Sequence, residues 1–185
     1  VTIDGESARD FDDAITISRC ENGNFSLGVH IADVSHYVAE GSALDRAAYT
    51  RSTSVYFPDR AVHMFPAELS TGLCSLKPKV DRLVQSCLME IDPAGEVKRY
   101  EIHDGVICSN ERMTYADVDA ILTQKASDLR KRYSNVVCMF EMMQDLFKAL
   151  RERRAVRGSI DFDLPAARFE LDEEGDVMAI VPEER

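Results

Sequence analysis

Residues 14–32 read AITISRCENGNFSLGVHIA. The runs at 14–19 and 25–32 are rich in β-branched and apolar residues, and Asn22-Gly23 lies between them. Asn-Gly suits the tight turn that joins antiparallel strands, because both residues tolerate the left-handed backbone it needs. A β-hairpin is expected here. Farther on, RLVQSCLMEID (82–92) and GEVKRYEIHDGVICS (95–109) predict a second hairpin, turning at Pro93-Ala94-Gly95. Between the two, GSALDRAAYTR (41–51) predicts a short helix with Ser42 as N-cap. TSVYF (53–57) is strand-like and stops at Pro58, and FPAELSTGLCSLKP (65–78) reads as helix or irregular chain.

Helical signals dominate after residue 113. Thr114 is placed to cap YADVDAIL, and Ser127 to cap a long helix ending near Arg154. Along the latter, Val136, Phe140, Met143, Phe147 and Leu150 recur at spacings of four and three, the apolar seam of a helix packed on a sheet. The basic run LRERRAVRG (150–158) could touch phosphate, but it reads first as a solvated helix end whose cations complement the C-terminal dipole. Strands resume at SIDFDL (159–164), RFELD (168–172) and DVMAIV (176–181). The expected class is α+β, a strand-rich mixed sheet with packed helices in one unit.

The chain has 185 residues, five cysteines and a net charge of −11. An odd number of widely spaced cysteines without a C-x-x-C pair indicates reduced thiols in a cytoplasm, not a disulfide frame or a zinc site. No apolar run reaches the length of a membrane span, so no membrane partner is expected. Val1 is not a start methionine, and the chain reads as a piece of a larger protein. Acidity taken alone speaks against nucleic-acid binding, which usually shows a basic footprint.

Just before the first hairpin, TIDGESARDFDDAITI (2–17) packs Asp4, Asp10, Asp12 and Asp13 within ten positions. Clustered carboxylates repel, and a cation is their simplest partner. In an extended segment Asp10 and Asp12 point one way and Asp13 the other, so convergence requires a loop, which Gly5, Ser7 and Ala8 permit. Several hard oxygen ligands suit Mg²⁺ or Mn²⁺, and four acids exceed what one Mg²⁺ needs, which points to two metals on a phosphodiester. Aspartates at such places also cap turns and bond backbone amides.

The cluster does not stand alone. With VHIADVSHYV, GSALDRAA, RSTSVYFPDR, LSTGLCSLKPKVDRL and GSIDFDL, it resembles the catalytic domain of the ribonuclease II/ribonuclease R family, and the ribonuclease R branch more closely. The resemblance implies that 1–185 is the N-terminal portion of an RNB exoribonuclease catalytic domain, cut short on its C-terminal side. It implies processive 3′→5′ hydrolysis of single-stranded RNA to nucleoside 5′-monophosphates, dependent on Mg²⁺, with Mn²⁺ as substitute. It assigns metal binding and catalysis to Asp4, Asp10, Asp12 and Asp13, with Asp12 closest to the chemistry. It assigns RNA stacking to Tyr56 and, by a looser match, to Phe162; packed aromatics are the structural alternative for both. His30, His36, His63 and His103 are read as packed or surface residues. GLCSLKPKVDR suggests Lys77, Lys79 and Arg82 as neighbours of a phosphate path.

The family's domain is roughly twice this length on the usual domain scale. Its later part supplies an arginine motif and a glutamate-bearing helix, and cold-shock and S1-type barrels flank it. Nothing after Gly158 resembles these, so the piece alone is expected to be inactive. Two other readings stand beside this one: a non-catalytic RNA-binding or regulatory relative, and a structural module whose acids hold a loop through metal.

Overall fold

Gly23 takes φ +83°, and Asn24 N–H donates to the Asn22 side chain at 3.0 Å, so the Asn-Gly turn closes as the sequence predicts. It joins β2 (Asp13–Arg19) to β3 (Phe25–Ala32) with Asp13 opposite Ile31 and Arg19 opposite Phe25. β3 pairs on its other side with β6 (Asp81–Ile91), and β6 with β7 (Val97–Cys108), giving an antiparallel sheet in the order β2-β3-β6-β7. The computed structural model describes residues 1–160, 166–173 and 175–183. Phe162 and most of the strand expected at 159–164 lie outside them.

A short parallel pair, β1 (Thr2–Asp4) with β8 (Arg112–Thr114), accompanies this sheet. α1 (Val34–Tyr37) and α2 (Ala43–Arg51) follow β3. Ser42 caps α2 by accepting from Asp45 N–H, as expected. β4 (Val55–Tyr56) and β5 (Ala61–Val62) form a small hairpin. A π-helical turn, Glu68–Leu73, leads into β6. Thr114 caps α3 (Tyr115–Leu122) by accepting from Asp117 N–H. β9 (Ala166–Leu171) and β10 (Val177–Glu183) form a separate antiparallel pair. The α+β class is as expected.

The predicted long helix is broken. α4 (Ser127–Arg132) and α5 (Val137–Val156) are separate. Ala126, not Ser127, holds the cap position of α4, and no side chain caps it. The break turns Tyr133 and Val136 inward to join Val1, Met113, Ile121, Val137 and Phe140 in one core. The apolar seam holds at four of its five positions: Val136 and Phe140 are buried, and Met143 and Leu150 pack against the cores. Leu146 is buried with Ile17, Phe25 and Ile91 in place of Phe147, which is 56% exposed. α5 therefore packs on the sheet as expected.

A third core lies under the acidic segment and contains Phe11, Ala14, Ala32, Leu69, Cys74, Leu76 and Val84. His30 is buried, with one ring nitrogen 3.1 Å from Thr16 Oγ1 and the other 2.8 Å from Ser86 Oγ. Burial lowers its pKa, which keeps the ring neutral and packed, as read from the sequence. β7 is the outer strand of the sheet and is solvent-exposed along most of its length. The cysteines are free thiols.

Candidate active site

Residues 5–12 form a loop between β1 and β2. Its shape is set from far along the chain. Ser75, fully buried, accepts a hydrogen bond from Phe11 N–H at 3.1 Å and donates one to Arg9 C=O at 2.8 Å. Asp10 is thus pinned on both sides. Leu76 N–H donates to Phe11 C=O at 2.8 Å, and Ala32 N–H donates to Asp12 C=O at 3.0 Å. On the other flank the Arg112 guanidinium donates to Gly5 C=O at 2.5 Å and Glu6 C=O at 2.9 Å. Phe11 supplies the apolar foot that buries the loop's centre, with Arg112 over its ring at 5.5 Å.

The four aspartates follow one another along this frame. Asp4 ends β1, and Asp13 opens β2. Burial, then Asp13, pushes the Asp4 carboxyl up to about 6, with Arg112 opposing and Asp12 and Asp10 adding. Partial desolvation, then Asp10 and Asp13, also raises Asp12, while His63 pulls it down. Asp4 Oδ2 is buried and has no hydrogen-bond partner. Among the described residues, no three His, Cys, Asp or Glu side chains converge closely enough to hold an ion as they stand. Asp10 lines one cavity, with Tyr56 and His63, while Asp13 lines another, beside Ile3 and Tyr115. The carboxylates form a row, not a cup. An orphaned buried oxygen and mutually raised carboxyls still fit a divalent cation, which would supply the charge that the row lacks.

Tyr56, on β4, donates its hydroxyl to Asp10 Oδ2 at 2.5 Å. That bond, then desolvation and the charge of Asp10, pushes the phenol up to about 12. The residue is 63% exposed, so its ring is available to a partner. His63 meets Tyr56 edge-on with centroids 6.4 Å apart, and its Nδ1 stands 3.7 Å from Asp10 Oδ2. These side chains, with Phe57 and Arg60, border a cleft of ≈ 450 Å³. His63, read as a packed or surface residue, is packed here and stands beside Asp10. Nothing in the sequence marks Ser75, Arg112 or Arg60 for this site. An acid cluster gives no local sign of which distant donors will hold it.

Of the basic residues read near a phosphate path, Lys77 lines a ≈ 630 Å³ cavity with Arg9 and Arg112 on the other side of the loop. Arg82 is instead a brace, with Nε donating to Ser75 C=O at 2.9 Å and Nη2 to Gly72 C=O at 3.2 Å. Lys79 stands 3.8 Å from Glu111.

Fold, loop and acids together belong to one family. Residues 1–185 match the RNB domain throughout, and the chain is a member of the RNB family. It is 48% identical over 174 residues to ribonuclease R 1 of Lactococcus lactis, covering 94% of this chain and 21% of that protein. It is 46% identical over 184 residues to ribonuclease R of Aquifex aeolicus, covering 100% of this chain and 26% of that protein. The structure of Mycoplasma genitalium RNase R in complex with double-stranded RNA superposes with a TM-score of 0.90 at 30% identity, covering 100% of this chain and 32% of that one. The chain thus spans about a fifth to a third of these relatives. No helix among the described residues is long and apolar enough to cross a membrane.

Proposed function

We infer that this chain is the acid-bearing part of a 3′→5′ exoribonuclease that hydrolyses single-stranded RNA processively to nucleoside 5′-monophosphates. The bond between Tyr56 and Asp10 carries the reading, because it ties an exposed ring to the acidic row. A base stacked on Tyr56 would bring its phosphate toward Asp10. Stacking on an aromatic face is tolerant of sequence, as a processive degrader requires.

Asp4, Asp10, Asp12 and Asp13 would hold Mg²⁺, or Mn²⁺ in its place. When bound, the metal would polarise the scissile phosphodiester and acidify a coordinated water. The protein's own groups do the rest. Ser75 and Arg112 fix the loop that presents the carboxylates. Tyr56 holds Asp10 in a set orientation, and the His63 ring stands beside it. Asp12, raised by burial and then by Asp10 and Asp13, would orient the attacking water. The longer relatives support a further expectation: the rest of the polypeptide, including cold-shock and S1-type domains, completes the site and supplies the basic RNA path. This chain alone is then inactive, and the whole protein works in the cytoplasm.

The rival reading, a non-catalytic RNA-binding relative, draws on the spread of the carboxylates along the loop. Turnover by the full-length polypeptide separates the two. Asp12→Asn is expected to reduce hydrolysis by ~10³-fold or more, the scale of lost metal and water positioning, while RNA affinity stays near wild type. Equal cleavage by wild type and variant would sink the exoribonuclease reading.

A further inference from the structure

The C-terminal end of α5 and the turn between β6 and β7 enclose a cleft of ≈ 450 Å³ lined by Phe147, Leu150, Arg151, Arg153, Arg154 and Arg157. The turn is pressed onto the helix. Gly95 takes φ +79°, and a Cβ there would stand 3.1 Å from Ala149 C=O. Leu146, one turn before the arginines, packs on Ile17, Phe25 and Ile91. These residues lie at the hairpin end of the sheet, whereas Asp13 opens β2 at the other end. The seven residues of β2 alone separate the two ends by ~20 Å.

In a chain of net charge −11, four arginines within seven positions are a local reversal of sign. Helical spacing places Arg151, Arg154 and Arg157 in sequence along the stripe that begins at Phe147. Glu96, which also lines the cleft, and Asp92 are bonded to Lys98, whose Nζ stands 2.7 Å from the first and 3.0 Å from the second. Arg153 adds its charge to Glu96, which helps hold that carboxyl low. Arg154 and Arg157 are exposed, and Phe147 offers a half-open ring between polar neighbours. Guanidinium forks match phosphate oxygens in pairs, and an aromatic face receives a base. An acidic peptide would satisfy the charges and leave the ring without a counterpart.

We propose that this cleft is a second RNA site, which holds a single-stranded segment by its phosphates and one base at the end of the sheet opposite the acidic row. The proposal rests on the ribonuclease reading for its choice of ligand. Its use would be to retain the strand at a point away from the reacting end.

The test is fluorescence anisotropy of a labelled oligouridylate against the full-length polypeptide, with EDTA present so that nothing is cleaved. Arg154→Ala/Arg157→Ala is expected to weaken binding about tenfold and to lower the slope of log affinity against log salt by about 1.4, at ~0.7 for each single-strand phosphate that an arginine no longer neutralises. Phe147→Ala is expected to weaken it roughly fivefold or more. Arg154→Lys/Arg157→Lys is expected to keep the salt slope, which separates removal of charge from damage to the fold. Circular dichroism confirms that each variant folds. Wild-type affinity in the double alanine variant overturns the proposal, as does displacement of the RNA by polyglutamate at equal charge. Asp12→Asn distinguishes this from failure of the functional reading. Unchanged binding here supports a separate site whatever hydrolysis does, and RNA affinity abolished only in Asp12→Asn overturns the second site and leaves the acidic row as the binding locus.

Discussion

Tyr56 and Asp10 are 46 positions apart in sequence, and the phenol donates to the carboxylate at 2.5 Å. One side chain is an exposed ring, and the other belongs to the acidic loop. On the function proposed above, this bond couples RNA binding to chemistry. Tyr56→Phe keeps the ring and removes the donor. In the full-length polypeptide it is expected to lower kcat about tenfold, the scale of a hydrogen bond to a charged group, while KM changes less than threefold. Tyr56→Ala should raise KM as well. Equal loss in both parameters for Tyr56→Phe would mean that the hydroxyl only supports the ring.

The acidic row should show in the pH dependence of stability. Asp4 is pushed up from 3.8 to about 6, so in that window the folded chain holds a proton that the unfolded chain releases. Stability from this group is therefore full below pH 4 and falls as pH rises through 6. Because the side chain is partly open to water, the loss is about 1 kcal/mol. Glu90, Asp92 and Glu96 are depressed and act in the opposite sense, at pH below their ordinary values of 4.5, 3.8 and 4.5 and so below pH 5. Thermal unfolding between pH 5 and 7 should show wild type losing ground to Asp4→Asn. Mg²⁺ should restore wild type at pH 7 and do little for the variant. A wild type that gains on the variant over this range contradicts the shift.

Ser75 supplies both halves of its clamp from one hydroxyl, which accepts from Phe11 and donates to Arg9. Ser75→Ala leaves a buried N–H and a C=O without partners, at about 2–3 kcal/mol. A Tm about 8 °C lower is expected for a chain of this size. In the full-length polypeptide, RNA hydrolysis should fall more than RNA affinity.

Gly28 faces Thr16 and His30 so closely that a Cβ would stand 2.5 Å from Thr16 Oγ1 and 2.9 Å from His30 Nε2. Gly28→Ala is expected to cost about 2–3 kcal/mol, the scale of overpacking in a core. Gly28→Ala/Thr16→Ser leaves the crowding hydroxyl in place and should recover little. Gly28→Ala/Thr16→Ala removes it and should recover about half. Chemical denaturation measures both.

What the sequence made legible was local. The Asn22-Gly23 turn and the Ser42 and Thr114 caps each rest on residues within a few positions of one another. The break between α4 and α5 was not legible. The periodicity runs on through it, and the gain comes from sending Tyr133 and Val136 into a core whose other half is Val1 and Met113. The acids could be listed, but their arrangement could not. Ser75 acts on Phe11 across 64 positions and Arg112 on Gly5 across 107, and neither residue type announces such a task.

β7 presents its outer edge for twelve residues, with Tyr100, Ile102 and Val106 exposed on one side by 66, 66 and 61%. A long strand with unpaired amides is a template for another copy of itself. Lys98, Arg99, Glu101 and Asp104 interrupt it, and the net charge of −11 keeps whole molecules apart. Salt shortens that repulsion to about 10 Å at 0.1 M. The acidity that counts against nucleic-acid binding is thus a colloidal safeguard, and light scattering from a purified sample should rise as salt is added.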